Sequence, residues 1–92
     1  MNNKRVVITG LGVVSSVGIG KDAFKQAILS GKSGISEISS FDTTNFKCHK
    51  GGEVKNFNPE DFISKRRVQF LGRASQMAIS ASAMALEDAK LP

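Results

Sequence analysis

The apolar positions of this chain follow two different periods. Near the start, Val6, Val7 and Ile8 form a β-branched run inside residues 5–9. Such a run predicts a strand buried on both faces. It stops at Gly10 and Gly12, and the Gly- and Ser-containing connection 10–20 behind it stays apolar at Leu11, Val13, Val14, Val17 and Ile19. A buried strand that ends in a glycine pair usually delivers a backbone turn to a functional edge. The period then changes. Ala23, Phe24, Ala27 and Ile28 share one helical face, which predicts a helix over Lys21–Leu29. Asp22 lies in its first turn, where a carboxylate suits the dipole, and Gly31 is placed to end it.

The middle of the chain is weakly patterned. A turn at Ser33-Gly34 and a short extended piece through Ile35 and Ile38 are expected, then a surface loop over Phe41–Lys50 rich in turn formers. Gly51–Phe57 is a second candidate strand. Asn58-Pro59-Glu60-Asp61 predicts a helix start, with Asn58 as N-cap and Pro59 as first helical residue, ending near Ile63 or Ser64. The longest expected element is a helix over Lys65–Ala89. Phe70, Met77, Met84 and Leu91 form one stripe, and Leu71, Ala74, Ala78, Ala81 and Ala85 run beside it. Gln69, Arg73, Gln76, Ser80, Glu87 and Lys90 fall on the remaining, polar face. Strand and helix signals together give an α/β chain.

Composition narrows the class. The chain has 92 residues, room for one domain at most. A lone domain of this size buries only about 60–65% of its unfolded surface and is marginal. No apolar run reaches the roughly 20 residues of a membrane helix, and no secretory pattern opens the chain. The expected compartment is the cytoplasm. Cys48 is the single cysteine, which excludes an internal disulfide and a cysteine-rich metal site. The net charge of +5 favours an acidic partner. All six aromatic residues are Phe, a poor inventory for stacking on nucleic acid.

Four groups of residues could carry chemistry. Gly10-Leu11-Gly12-Val13-Val14-Ser15 follows a strand, like a dinucleotide fingerprint. That fingerprint needs an immediate helix and a carboxylate about 20 positions on. Here the helix waits until Lys21, and Ile28-Leu29-Ser30-Gly31 holds no acid. A strand with a tight turn is the better reading, and a small dinucleotide-binding module using Gly10 and Gly12 is the alternative. Cys48 and His49 are adjacent, so extended backbone sends them to opposite sides. They read as a free surface thiol and a solvated imidazole. Ser15 and Ser16 have no base tied to them by any motif. Lys65-Arg66-Arg67, with Arg73 beyond, is the densest basic cluster. It reads first as a solvated helix start, with a docking patch for an anionic partner as the alternative, and three cations that oppose the dipole there shift the reading towards docking.

Taken in order, RVVITGLGVVSSVG, a helix ending ILSGKSGI, FDTTNF, GGEVKNFNPEDFI and ASQMAISASAMALEDAKL resemble the start of the elongating β-ketoacyl-acyl-carrier-protein synthases. The likeness covers essentially the whole chain in one register. It implies a thiolase-like layered αβαβα fold, of which residues 1–92 are one partial domain. It implies decarboxylative Claisen condensation of acyl groups with malonyl-carrier protein, in fatty acid or polyketide biosynthesis. It implies acyl carrier protein, acyl and malonyl thioesters as partners, a homodimer at full length, and neither cofactor nor metal. Nucleic acid and membrane are not among the implied partners. The family's Cys nucleophile and two His lie in later motifs. Cys48 and His49 match neither, so no catalytic residue is assigned and the isolated segment is expected to be inactive. Lys65 and Arg66 match basic positions that dock the acidic carrier. The chain departs from the family where Gln69-Phe70 stand in place of further basic residues, and where Leu71-Gly72 replaces a Met-Asp pair.

Overall fold

A computed structural model of the chain describes residues 3–91. Its elements run β1 (Val14–Ser15), β2 (Gly18–Ile19), α1 (Lys21–Leu29), β3 (Ser36–Glu37), β4 (Lys50–Gly51), a 3-10 turn (Pro59–Asp61), α2 (Lys65–Val68) and α3 (Arg73–Asp88). The chain is therefore a mixture of helices and very short strands. Two separate antiparallel pairs form, β1 with β2 and β3 with β4.

Residues 5–9 do not form the expected strand. Val6, Val7 and Ile8 are 92%, 74% and 84% exposed, so neither of their faces is buried. A strand exists only through a neighbour's ladder, and no segment among the described residues pairs with this one. Burying three such side chains is worth about 1.5–3 kcal/mol each. That sum is of the order of a small domain's entire stability. The same shortage of neighbours shrinks the expected strand 51–57 to β4, which pairs Lys50 with Glu37 and Gly51 with Ser36. Among the described residues the buried apolar side chains are Ala27 and Ile63. The radius of gyration is 16.5 Å, against about 12 Å for a compact domain of this length.

The connection 10–20 holds a hairpin that the sequence pattern did not suggest. Val14 pairs with Ile19 and Ser15 with Gly18. The Ser15 hydroxyl donates to Gly18 O at 2.7 Å and accepts from the N–H groups of Gly18 at 3.1 Å and Val17 at 3.3 Å. Ser15 thus closes a turn and is no nucleophile.

Helix α1 has the expected bounds and ends as expected. Gly31 is at φ 72°, Lys32 N–H reaches Ala27 O at 2.9 Å and Gly31 N–H reaches Ile28 O at 3.2 Å. This is the glycine-terminated closure that satisfies the last carbonyls. The turn thus falls at Ser30-Gly31 and not at Ser33-Gly34. Helix α3 closes the same way, with Leu91 N–H on Leu86 O and Lys90 N–H on Glu87 O, both at 3.0 Å. There the left-handed position, φ 59°, is held by Lys90. A residue with a Cβ carries a cost of about 1 kcal/mol at such a site. Lys90→Gly should therefore raise the melting temperature by about 4–8 °C. A scan showing no rise would place that cost elsewhere.

The single helix expected over 65–89 is two helices. Residues 69–72 break it, and α3 restarts at Gly72, whose ψ of 163° is extended. Glycine is the poorest non-proline helix former, and a Cβ at Gly72 would stand in open space. Inside α3 the burial also departs from the expected stripes. Ser80, expected on the polar face, is fully buried, while Phe70 and Leu91 of the Met stripe are exposed.

Candidate functional site

The glycine pair faces α3. A Cβ on Gly10 would lie 2.7 Å from Ala89 N and 2.8 Å from Ala89 Cβ, and would also overlap Ala85 O. A Cβ on Gly12 would lie 2.8 Å from Ala85 N and would overlap Ala81 O. Real Cβ atoms do not come that close to backbone. The glycines and the small residues Ala81, Ala85 and Ala89 let segment and helix touch main chain to main chain. On this face α3 lies against the glycines and Asp88 takes the Leu11 N–H, an arrangement that counts against the dinucleotide alternative.

Between the two glycines, Leu11 N–H donates to Asp88 Oδ2 at 2.9 Å. The other oxygen, Oδ1, is ion-paired with Lys21 Nζ at the start of α1. Asp88 occupies the last turn of α3, where a carboxylate opposes the dipole. Its two partners offset that cost. The Lys21 hydrogen bond first, and Leu11 N–H second, hold the Asp88 carboxyl below its usual range. Asp88 reciprocally raises Lys21. No motif pointed to Asp88, and its only signal in the sequence was an acid at the wrong end of a helix.

The remaining candidates do not assemble. Cys48 is exposed and its thiol donates to Lys50 O at 3.3 Å, while His49 Nδ1 lies 2.9 Å from Thr43 Oγ1. The two do not meet each other or Ser16. Ser16 packs against Gly34 and lines a cavity of about 240 Å³ with Lys32, Ser36 and Lys55. Lys55 already donates to Ser36 Oγ at 2.9 Å. Among the described residues no three His, Cys, Asp or Glu are grouped to hold a metal ion.

The basic turn is different, because its supports are built and its charges are left free. Asn58 caps the preceding 3-10 turn, its Oδ1 accepting Glu60 N–H at 3.1 Å. Ile63 N–H closes on Pro59 O at 2.9 Å, and the Ile63 side chain is buried. Helix α2 begins two residues later. Its far end is held by Gln76, whose Nε2 donates to Val68 O at 3.2 Å and Leu71 O at 3.0 Å. Those carbonyls lie at the break between α2 and α3, and Val68 O also accepts Leu71 N–H at 3.1 Å. Arg73, expected to extend the cluster, is used elsewhere. It donates to Val54 O at 3.1 Å, and its guanidinium sits 5.5 Å from the Phe57 ring centroid.

Lys65, Arg66 and Arg67 are all exposed. None takes part in an ion pair among the described residues, where Lys21–Asp88 is the pair observed. Phe70 follows on the same turn, its N–H on Arg67 O at 3.0 Å and its ring 79% exposed. The arrangement is a fixed three-cation surface with an aromatic ring at its edge.

Known proteins carry a similar segment. The family described as "Beta-ketoacyl synthase, N-terminal domain" matches residues 3–92. A 3-oxoacyl-[acyl-carrier-protein] synthase 2 of Staphylococcus aureus is 43% identical over 89 residues, covering 97% of this chain and 22% of that protein. The protein of the same name from Synechocystis is 36% identical over 91 residues, covering 99% of this chain and 22% of its own length. Among solved structures, "The ishigamide ketosynthase/chain length factor" superposes with a TM-score of 0.87 at 38% identity, over 94% of this chain and 21% of that one. The chain thus spans about a fifth of the length of the relatives it matches.

Proposed function

The chain belongs to the β-ketoacyl synthase family, in the segment that opens its N-terminal domain, and from that premise we propose that it serves a 3-oxoacyl-acyl-carrier-protein synthase as a carrier-docking and scaffold segment. The reaction of the whole protein is decarboxylative Claisen condensation between an acyl group and malonyl-carrier protein. Residues 1–92 form part of one thiolase-like layered domain, and the protein acts in the cytoplasm as a homodimer. The exposed apolar run Val6–Ile8 supports the partial-domain reading, because it is a strand in composition with no ladder of its own. Among the described residues no helix is long and apolar enough to cross a membrane.

The observation that carries the docking role is the α2 turn. Lys65 and Arg66, with Arg67 beside them, stand out from a locally anchored element without a carboxylate partner. Unneutralised like charges on a small surface repel one another and are relieved when an acidic partner arrives. The acidic acyl carrier protein is that partner. Reversing both charges, Lys65→Glu with Arg66→Glu, should weaken binding of purified acyl carrier protein by about 100-fold at low salt. Titration calorimetry reads this directly. Unchanged affinity in the double variant, with circular dichroism unchanged, would overturn the docking role. Retained affinity for RNA in place of the carrier would point to a different anionic partner.

A further inference from the structure

Phe70 is left unexplained by charge. Its ring is 79% exposed and belongs neither to the aromatic pair Phe41–Phe46 nor to the Arg73–Phe57 contact. Many apolar side chains are exposed here, but Val6, Val7 and Ile8 sit in a strand-forming segment that lacks neighbours, and Ile79 and Leu86 lie on α3. Phe70 alone of these stands in the basic turn. It is four residues past Arg66 and three past Arg67, the spacing that puts helical side chains on one side. Its backbone is fixed by the Arg67 carbonyl, and the break behind it is fixed by Gln76. The ring is thus presented on a positioned turn.

Protein interfaces owe most of their energy to a few desolvated aromatic or Arg anchors, ringed by polar contacts that set encounter and register. Three exposed cations supply the ring but no apolar centre. We propose that Phe70 is that centre: it inserts against an apolar side chain on the acidic helix of the carrier protein, while Lys65, Arg66 and Arg67 engage that helix's carboxylates. This rests on the docking role above and names the residue that decides affinity within it. A lipid surface is a poorer occupant, because membrane-lying helices need a long apolar face and α2 is four residues with one ring.

The two kinds of contact separate by salt. Charge contacts weaken as salt rises, and burial of an apolar ring does not. With the 92-residue chain and purified acyl carrier protein, Phe70→Ala should weaken binding about tenfold at every salt concentration, leaving the slope of log Kd against log salt unchanged. Phe70→Leu should retain most of the affinity. The Lys65→Glu, Arg66→Glu variant should instead flatten the slope. Phe70→Ala at full affinity, with binding lost on charge reversal, overturns the anchor and leaves the docking role standing. Tighter binding by Phe70→Lys also overturns the anchor, since it would make the site a charge patch alone. Indifference of binding to both the Phe70 and the charge variants overturns both proposals. Binding to anionic phospholipid vesicles that depends on Phe70 and exceeds carrier binding would replace the protein partner with a lipid one.

Discussion

Gly12→Val should detach the amino-terminal segment from α3 and abolish the cooperative unfolding transition of the chain. The new Cβ would overlap Ala81 O and lie 2.8 Å from Ala85 N and 2.9 Å from Ala81 C. These are helix backbone atoms. They cannot rotate away as a side-chain tip would, so the helix or the segment must move. Overpacking in ordinary side-chain cores costs about 1–3 kcal/mol. Here the clash also separates Leu11 N–H from Asp88, so the loss should exceed about 3 kcal/mol, a large share of what so small a chain can hold. Urea unfolding followed by circular dichroism checks it, with hydrogen exchange at Leu11 as the local readout. Gly72→Ala is the control. Its Cβ would meet nothing within 4 Å and its φ is −71°, so it should shift stability by less than about 1 kcal/mol. If the two variants unfold alike, the close approach of Gly12 to α3 is not what holds the segment.

The second large effect is in pH. Asp88 is held below its usual value by Lys21 and then by Leu11 N–H. A carboxyl lowered by folding contributes stability that is fully present above its ordinary pKa of 3.8 and is lost as pH falls through the depressed one. Lys21 is raised by the same contact. Its contribution is complete below the ordinary 10.5 and is lost as pH rises through the raised value. The junction is therefore intact from weakly acid to weakly alkaline solution and opens at both extremes. Asp88→Ala should lower the midpoint at neutral pH and flatten both limbs of the stability–pH curve. Glu53 separates the two limbs. Hydrogen bonds from Ser40 and then Ser39, with both N–H groups and the Ser39 hydroxyl donating, hold its carboxyl at about 2 with no cation involved. Glu53→Gln should alter the acid limb, between 4.5 and about 2, and leave the alkaline limb alone. Thermal melts at acid, neutral and alkaline pH decide it. An alkaline limb that survives Asp88→Ala would mean that Lys21 does not titrate against Asp88.

The features legible in the sequence are those set by neighbours along the chain. Helix α1 needs only its periodic face and Gly31, and the Asn58-Pro59 cap needs only its own next turn. The basic turn is legible as charge because Lys65, Arg66 and Arg67 are consecutive. What was not legible depends on distant residues. A β-branched run states a preference for a ladder but not whether a partner is at hand, so Val6–Ile8 read as buried and is bare. The sequence favours a structural turn at Gly10 and Gly12 over a phosphate turn but does not say what the turn meets, and Ala81, Ala85 and Ala89, some 70 positions on, supply that. The break at 69–72 was masked because the seven-residue stripe runs straight through Gly72. Of the candidate site, the charges were readable. The ring beside them was not, because Phe70 also fitted the apolar stripe of a longer helix.

The hydrogen bond between Leu11 and Asp88 spans 77 positions in a chain of 92. It therefore sets an order of events at the ribosome. Synthesis delivers the apolar amino-terminal segment first, but its docking helix is finished only when residue 88 has left the exit tunnel. At roughly 5–20 residues per second this leaves Gly10, Leu11 and Gly12 undocked for several seconds, beside a Val6–Ile8 run that stays bare even after α3 has formed. A run of this composition with free edges is a template for wrong pairing. Closing so long a loop is also slow, because its entropy is spent before the contact repays it. The stretch that emerges first is docked last, and nascent-chain chaperones would find their natural target in the bare apolar run beside it.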